Sequence, residues 1–228
     1  MKKIKILYFS YDGVLEPLGQ SQIMNYQKKI SSYYDIFIVS FEKYKDFKNI
    51  ENIKLFKSDI KNNNITWFPI IFSYKYKVLS YLLNYIKGLS KIFFLLISYD
   101  IKIIHCRGYV TFMIIYLLKF FFSFKIVFDM RGFWIDERVE WNIWKKNRLK
   151  YKFFKFLEKK LLISAQSIIT LTDDARNEVI KIIKNNVQSK IFETIHTCVD
   201  KSNFKKPKHL LTKKSNKLIF CHLGAIST

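Results

Sequence analysis

Chemistry in this chain would have to come from a few polar clusters set between apolar runs. The first is Ser10-Tyr11-Asp12-Gly13, followed by Glu16-Pro17-Leu18-Gly19-Gln20-Ser21. The second is His105-Cys106-Arg107-Gly108. The third is Asp129-Met130-Arg131-Gly132-Phe133-Trp134, running into Asp136-Glu137-Arg138. A fourth, Thr172-Asp173-Asp174, opens a helical pattern. Carboxylates, guanidiniums and an imidazole can hold hydroxyl groups, orient a charged ligand or move a proton. Each cluster also has a plain structural reading. The glycines can simply make turns, and His105 can be a satisfied core histidine. Asp129, Arg131, Asp136, Glu137 and Arg138 can form an ion-pair network, and Trp134, Trp141 and Trp144 can be core or interface aromatics. Asp173 and Asp174 are read as first-turn acids behind a Thr172 N-cap. Charges placed directly after a buried strand are harder to dismiss together, because burying them unpaired is costly.

The elements that carry these clusters alternate. Strand-like runs fall at Ile4–Phe9, Ile36–Ser40, Ile65–Pro69, Ile101–His105, Lys125–Met130, Ser167–Leu171 and Ile191–Ile195. Helical spacing fills about 21–32, 77–98 and 109–122, a helix with Leu149, Phe153, Phe156, Leu157 and Leu161 on one face, and another with Ala175, Val179, Ile182 and Ile183. Residues 42–63 are polar, Lys/Asn-rich and poorly patterned, and are read as loop with local structure. The alternation predicts an α/β domain with a doubly wound, Rossmann-like parallel sheet over residues 1–200. Ligands of such sheets bind outside the carboxyl ends of the strands, so the loops after the first, fourth and fifth strands should converge on one rim. Residues 201–216 read as a linker. Lys217–Leu223, ending in Gly224, reads as the first strand of a second, truncated domain.

Composition narrows the partners. The 228 residues carry 40 Lys+Arg against 18 Asp+Glu, a formal net charge of +22. Lys, Ile, Asn, Phe and Tyr share A/T-rich codons, so genomic composition and attraction to an anionic membrane surface are both open readings. A recognisable nucleic-acid module is absent, and nucleic acid is not expected as a partner. Cys106, Cys198 and Cys221 lack metal-ligand spacing and are expected to be reduced, buried thiols, with no metal site. The N-terminus reads as a first strand rather than a signal peptide. The apolar stretches are interrupted by Lys or Asp, so no transmembrane segment is expected. A GxGxxG loop, a Walker A loop, a GxSxG elbow and an Asp-x-Asp pair are all missing.

Two long stretches carry a family resemblance. Tyr11-Asp12-Gly13-Val14-Leu15-Glu16-Pro17-Leu18-Gly19-Gln20-Ser21-Gln22 resembles the first loop of a bacterial group within the family 4 retaining glycosyltransferases. Phe128-Asp129-Met130-Arg131-Gly132-Phe133-Trp134-Ile135-Asp136-Glu137-Arg138-Val139 resembles a second signature of that group, and His105-x-Arg107 a third. Thr170-Leu171-Thr172 and Thr197-Cys198-Val199-Asp200 match weaker features. The resemblance implies the N-terminal, acceptor-side domain of a GT-B enzyme, cytoplasmic or peripheral on the inner membrane face. It implies sugar transfer from a nucleotide-sugar, as co-substrate without further cofactor, to a saccharide or lipid-linked acceptor of the cell envelope. His105 would be catalytic. Asp12, Gly13, Gly19, Gln20, Ser21, Arg107, Asp129, Arg131, Asp136, Glu137 and Arg138 would line the acceptor side, and Gly224 would belong to the donor site. The donor element Glu-x7-Glu has no match. The alternatives are an inert acceptor-binding or interaction domain, a domain paired with a separately encoded C-terminal partner, and an unrelated flavodoxin-like binding module.

Overall fold

A computed structural model describes residues 3–75 and 77–198, except for the side chains of 52, 77 and 78. Residues 199–228 lie outside the described residues, so the expectations for Val199, Asp200, the linker, Cys221, the Lys217–Leu223 strand and Gly224 fall there.

Seven strands form one parallel sheet in the order β3-β2-β1-β4-β5-β6-β7. They are β1 (Lys5–Ser10), β2 (Asp35–Glu42), β3 (Ile65–Ile71), β4 (Ile103–Arg107), β5 (Lys125–Asp129), β6 (Ser167–Thr170) and β7 (Ile191–Thr194). Strand order reverses between β1 and β4, the doubly wound arrangement expected from the alternation. The chain leaves β1 through α1 (Pro17–Gly19), a π-helical turn (Gln20–Met24) and α2 (Asn25–Ile30). Then come α3 (Tyr44–Phe47), α4 (Ile50–Asn62), α5 (Lys77–Ser98), α6 (Tyr109–Leu118), α7 (Trp134–Glu140), α8 (Leu149–Ser164) and α9 (Asp173–Ile183). Alternate residues of each strand feed two cores. Leu7, Phe9, Val39, Ile104, Phe128 and Ile168 pack with α5, α6, α8 and α9. Ile6, Tyr8, Ile36, Ile38 and Ile65 pack with Ile23, Met24, Phe56 and Ile60.

Several boundaries differ from the sequence reading. Most of the 42–63 region is helical, in α3 and α4: Ile53, Phe56 and Ile60 recur at helical spacing, and three apolar contacts in a Lys/Asn-rich run gave too weak a periodicity. Pro69 lies inside β3 rather than ending it. An edge strand tolerates it because a proline nitrogen turned away from β2 forfeits no ladder bond. His105, Cys106 and Arg107 belong to β4, and the loop starts at Gly108, whose φ of 80° suits glycine. On α8 the inward face is Phe154, Leu157, Glu158, Leu161 and Leu162, leaving Leu149, Phe153 and Phe156 exposed. Cys106 is buried, but Cys198 is exposed. Leu79–Ser98 of α5 is long and apolar enough to cross a membrane by length and composition, although Lys87 and Lys91 interrupt it as the sequence reading notes. Its inner side nevertheless covers the sheet through Ile92 and Leu95. Thr172 caps α9 as expected, accepting a hydrogen bond from the Ala175 amide at 3.1 Å.

Candidate functional site

Neighbouring strands put Ser10 beside Arg107 and Arg107 beside Asp129, one row across the carboxyl ends of β1, β4 and β5. The row below pairs Tyr8 with His105. Parallel pairing with a period of two sends all five side chains to the same face.

Arg107 organises the row. Its side chain is 4% exposed, and each guanidinium nitrogen has its own acceptor. Nε donates to Asp12 Oδ2 at 3.2 Å, Nη1 to Asp129 Oδ2 at 3.3 Å, and Nη2 to Gln22 Oε1 at 2.7 Å. Arg131 closes the cluster. It donates to Asp129 Oδ1 at 3.5 Å, to the same Gln22 Oε1 at 3.1 Å, and to Thr197 Oγ1 at 3.2 Å. Two carboxylates and two guanidiniums thus share one network, with the Gln22 amide bridging the two cations. A buried guanidinium needs such a full set of acceptors, since an unpaired one would cost several kcal/mol.

His105 lies under this network. Its ring packs on Tyr8 at a centroid distance of 4.6 Å. Burial lowers its pKa below 6.5, although Asp129 pulls the other way, so the imidazole is neutral at neutral pH. Its Nε2 stands 4.0 Å from Asp129 Oδ2, too far for a hydrogen bond, and has no partner among the protein atoms. Gln27 Oε1, also buried, is likewise unpartnered. Both residues line one cavity of about 190 Å³, together with Tyr8, Tyr26, Asp129 and His196. The same burial raises the pKa of the Tyr8 hydroxyl.

The loop after β1 is held from below. Glu42, fully buried at the end of β2, accepts from the Val14 amide (2.8 Å), the Leu15 amide (3.2 Å) and Ser40 Oγ (2.5 Å). Gly13 lies against Glu42 and the Phe41 carbonyl. Gly19 presses its backbone onto Gly13 and Val14, with room for no side chain. Gln20 Nε2 donates to Val14 O. These contacts fix the helix entry and therefore the direction of Gln22.

The structure brings Asp12, His105, Arg107, Asp129 and Arg131 together, with Gly13, Gly19 and Gln20 as the loop behind them. Ser21 is exposed and bonds the Leu18 carbonyl. Asp136, Glu137 and Arg138 sit on α7 and make other contacts. Asp136 accepts from Tyr151 OH (2.7 Å) and Lys155 Nζ (2.9 Å) of α8. Lys155 also pairs with Glu158, a fully buried carboxylate that accepts from Tyr109 OH at 2.8 Å. Arg138 lies over the Trp134 and Trp141 rings, 5.2 and 5.8 Å from their centroids. Glu137 folds back over Gly132, and burial raises its pKa. Gln27 and Glu42 were not singled out by the sequence, and Gln22 and Thr197 lay in matched stretches without being given a site role. Gln22 ends the first signature stretch, and Glu42 is the lone acid closing an apolar strand. Among the described residues, no three His, Cys, Asp or Glu side chains gather as a metal site would need.

No family model matches the sequence, and no curated protein matches it. Solved structures do match the folded chain. Sucrose-phosphate synthase from Thermosynechococcus elongatus superposes with a TM-score of 0.55 at 10% identity, over 85% of this chain and 48% of that one. UDP-N-acetylglucosamine 2-epimerase from Rickettsia bellii gives 0.52 at 14% identity, over 84% and 44%. Identities this low establish the fold alone: a doubly wound, Rossmann-like domain of the GT-B type. The chain spans about half the length of these neighbours.

Proposed function

We propose that this domain is the acceptor-side half of a retaining, family 4-like glycosyltransferase. It would work in the cytoplasm, without a metal ion, on a nucleotide-sugar co-substrate and a saccharide or lipid-linked acceptor of the cell envelope. A second domain, in the same chain or a separately encoded one, would hold the donor. The fold likeness is shared by a synthase and an epimerase, so it does not choose between transfer and epimerisation. The two signature stretches favour transfer.

The observation that carries the acceptor-side reading is the charge balance of the cluster. Asp12 and Asp129 offset Arg107 and Arg131, so the rim presents no net positive field to a diphosphate. Beside it stand two unpartnered atoms that can accept a hydrogen bond, Gln27 Oε1 and the Nε2 of a neutral His105. A floor of this kind suits the hydroxyl groups of a neutral sugar, which donate as well as accept. Leaving two such atoms buried and unmatched costs about 1–3 kcal/mol each, and a bound hydroxyl would recover part of it.

The test has two arms. Saccharides and lipid-linked acceptors are titrated into the chain while the His105 ring signals are followed by NMR. A saturable shift, lost in Gln27→Leu, is expected. Transfer from a panel of nucleotide-sugars is then assayed together with a donor domain, and His105→Ala should lower the rate by about 100-fold or more. If nucleotide diphosphates rather than saccharides move the His105 signals, the acceptor-side reading is wrong.

A further inference from the structure

We propose that the outer side of α5 and the turn after α6 form a docking face for an anionic lipid bilayer. The inference goes beyond sugar transfer and does not depend on it. Only 28% of the apolar stretch Leu79–Ser98 is buried. Its bare side carries Leu79, Leu82, Ile86, Phe93, Phe94 and Ile97, a stripe at helical spacing. The stripe continues across a groove of about 750 Å³ onto Leu117, Phe120 and Phe121. Ring contact between Phe93 and Phe122, 5.4 Å between centroids, ties the two parts together. Phe94, Phe120 and Phe121 are 65%, 73% and 76% exposed. Those three side chains alone bare roughly 400 Å². The aliphatic neighbours take the patch beyond the roughly 300–600 Å² that is the largest patch on an ordinary monomer.

Charge selects the occupant. Residues 60–128 contain nine Lys and Arg and a single acid, Asp100. Lys87 and Lys91 lie on α5 itself, and Lys87 Nζ is anchored on the Ile71 carbonyl and Ser73 Oγ. An apolar stripe flanked by lysines and free of carboxylates fits acyl chains below and anionic headgroups around. A second copy of the chain fits poorly, because two bodies of formal charge +22 repel each other. The helix cannot span the bilayer in this fold, since Asn84, Gly88, Ile92 and Leu95 on its other side are buried. The phenylalanine part of the face is remote from the candidate site, although α5 itself starts at the carboxyl ends of the strands, where Lys87 bonds the Ile71 carbonyl. Phe120 and Phe121 precede β5, at the amino ends of the strands, whereas Arg107 and Asp129 stand at the carboxyl ends. Docking through Phe94, Phe120 and Phe121 therefore leaves the rim open to solvent.

The test is co-sedimentation of the chain with vesicles, alongside analytical ultracentrifugation without them. Vesicles of equal phosphatidylglycerol and phosphatidylcholine should bind the chain, and pure phosphatidylcholine at least ten-fold more weakly. Raising the salt to molar concentration should weaken binding several-fold. Phe94→Ser with Phe121→Ser removes two well-exposed rings without touching the core, and should cost at least ten-fold in vesicle affinity at unchanged circular dichroism. Lys91→Glu should cost several-fold. Equal binding to neutral vesicles, undiminished binding by the double variant, or no binding by the folded chain would each overturn the proposal. So would a dimer that the double variant dissolves, because the occupant would then be a second copy. Sugar transfer is not read in any arm, so failure here leaves the proposed activity standing.

Discussion

Gly19→Ala should destabilise the domain although helix propensity argues the opposite. Gly19 has ordinary helical angles, φ −62° and ψ −41°, where alanine is favoured by about 1 kcal/mol. A Cβ there would lie 2.0 Å from the Gly13 carbonyl oxygen and 2.7 Å from Val14 Cα. Both obstacles are backbone, so no rotamer can relieve them. The loop would have to retreat by more than 1 Å, and its Val14 and Leu15 amides are held at 2.8 and 3.2 Å by the buried Glu42 carboxylate. Overpacking costs about 1–3 kcal/mol. Loosening hydrogen bonds to a charged acceptor adds about 1.5–3 kcal/mol. After the propensity gain, a net loss of about 2–4 kcal/mol remains, which for a chain of this size lowers Tm by roughly 5–15 °C.

Gly132→Ala is the control. Its Cβ would meet Glu137 Oε1 at 2.2 Å, nominally as severe a clash. The obstacle there is the end of a flexible, partly exposed side chain that can swing away, so the loss should stay below about 1 kcal/mol. Thermal and urea unfolding followed by circular dichroism measure both. Equal Tm for the two variants, or a Gly19→Ala protein more stable than its parent, would refute the view that the glycines of the first signature serve backbone packing.

Burial raises the pKa of Glu42 above 4.5, so the native state holds its proton more tightly than the unfolded chain. The group's contribution to stability therefore falls as pH rises from 4.5 through the raised native value, and Glu42→Gln should remove that slope in urea titrations. His105 has the opposite sign: its native pKa is lowered, so stability falls as pH drops from 6.5 toward the native value. His105→Gln should flatten that part of the profile. Asp129→Ala leaves the Arg107 guanidinium buried and short of an acceptor, and should cost about 3–5 kcal/mol. Asp12→Ala, at a carboxylate 54% exposed, should cost under about 1 kcal/mol in the same unfolding assay. Thr172→Ala should cost about 1 kcal/mol through loss of the α9 cap.

The sheet was legible because its strands are short apolar runs punctuated by polar clusters, and the Thr172 cap because N-capping is local chemistry. The α4 helix was not, since its apolar residues are diluted by lysines and asparagines. The inward face of α8 was misassigned because Glu158 is the residue that packs inside. A carboxylate at 0% exposure can do so only with Tyr109 and Lys155 as partners, and those contacts span up to 49 positions in sequence. The same holds for the candidate site. Asp12, His105, Arg107, Asp129 and Arg131 could be picked one by one from their places after strands. That Gln22 joins Arg107 to Arg131 depends on a helix direction set by Glu42, a residue from another strand. Long-range partners of this kind leave no periodicity to read.

The distribution of charge bears on what the two ends of the molecule do. A strongly basic chain could have been expected to concentrate its cations where a phosphorylated ligand binds. Instead the arginines at the rim are matched by carboxylates, and the Gln22 carbonyl oxygen takes a hydrogen bond from each. The unmatched lysines are elsewhere, on helices that flank exposed phenylalanines. Screening limits long-range attraction to about 8 Å at physiological salt. Lys91, further along α5 from the carboxyl ends than Lys87, therefore acts on whatever touches that face and contributes little at the carboxyl ends of β4 and β5. Neutrality at the rim and basicity on the apolar face are consequently separable. Vesicle binding should respond to Lys91→Glu and not to Asp129→Asn, and saccharide shifts at His105 should show the reverse. A single variant that abolished both would mean that one surface serves both ligands, and the two-ended arrangement argued from these contacts would have to be abandoned.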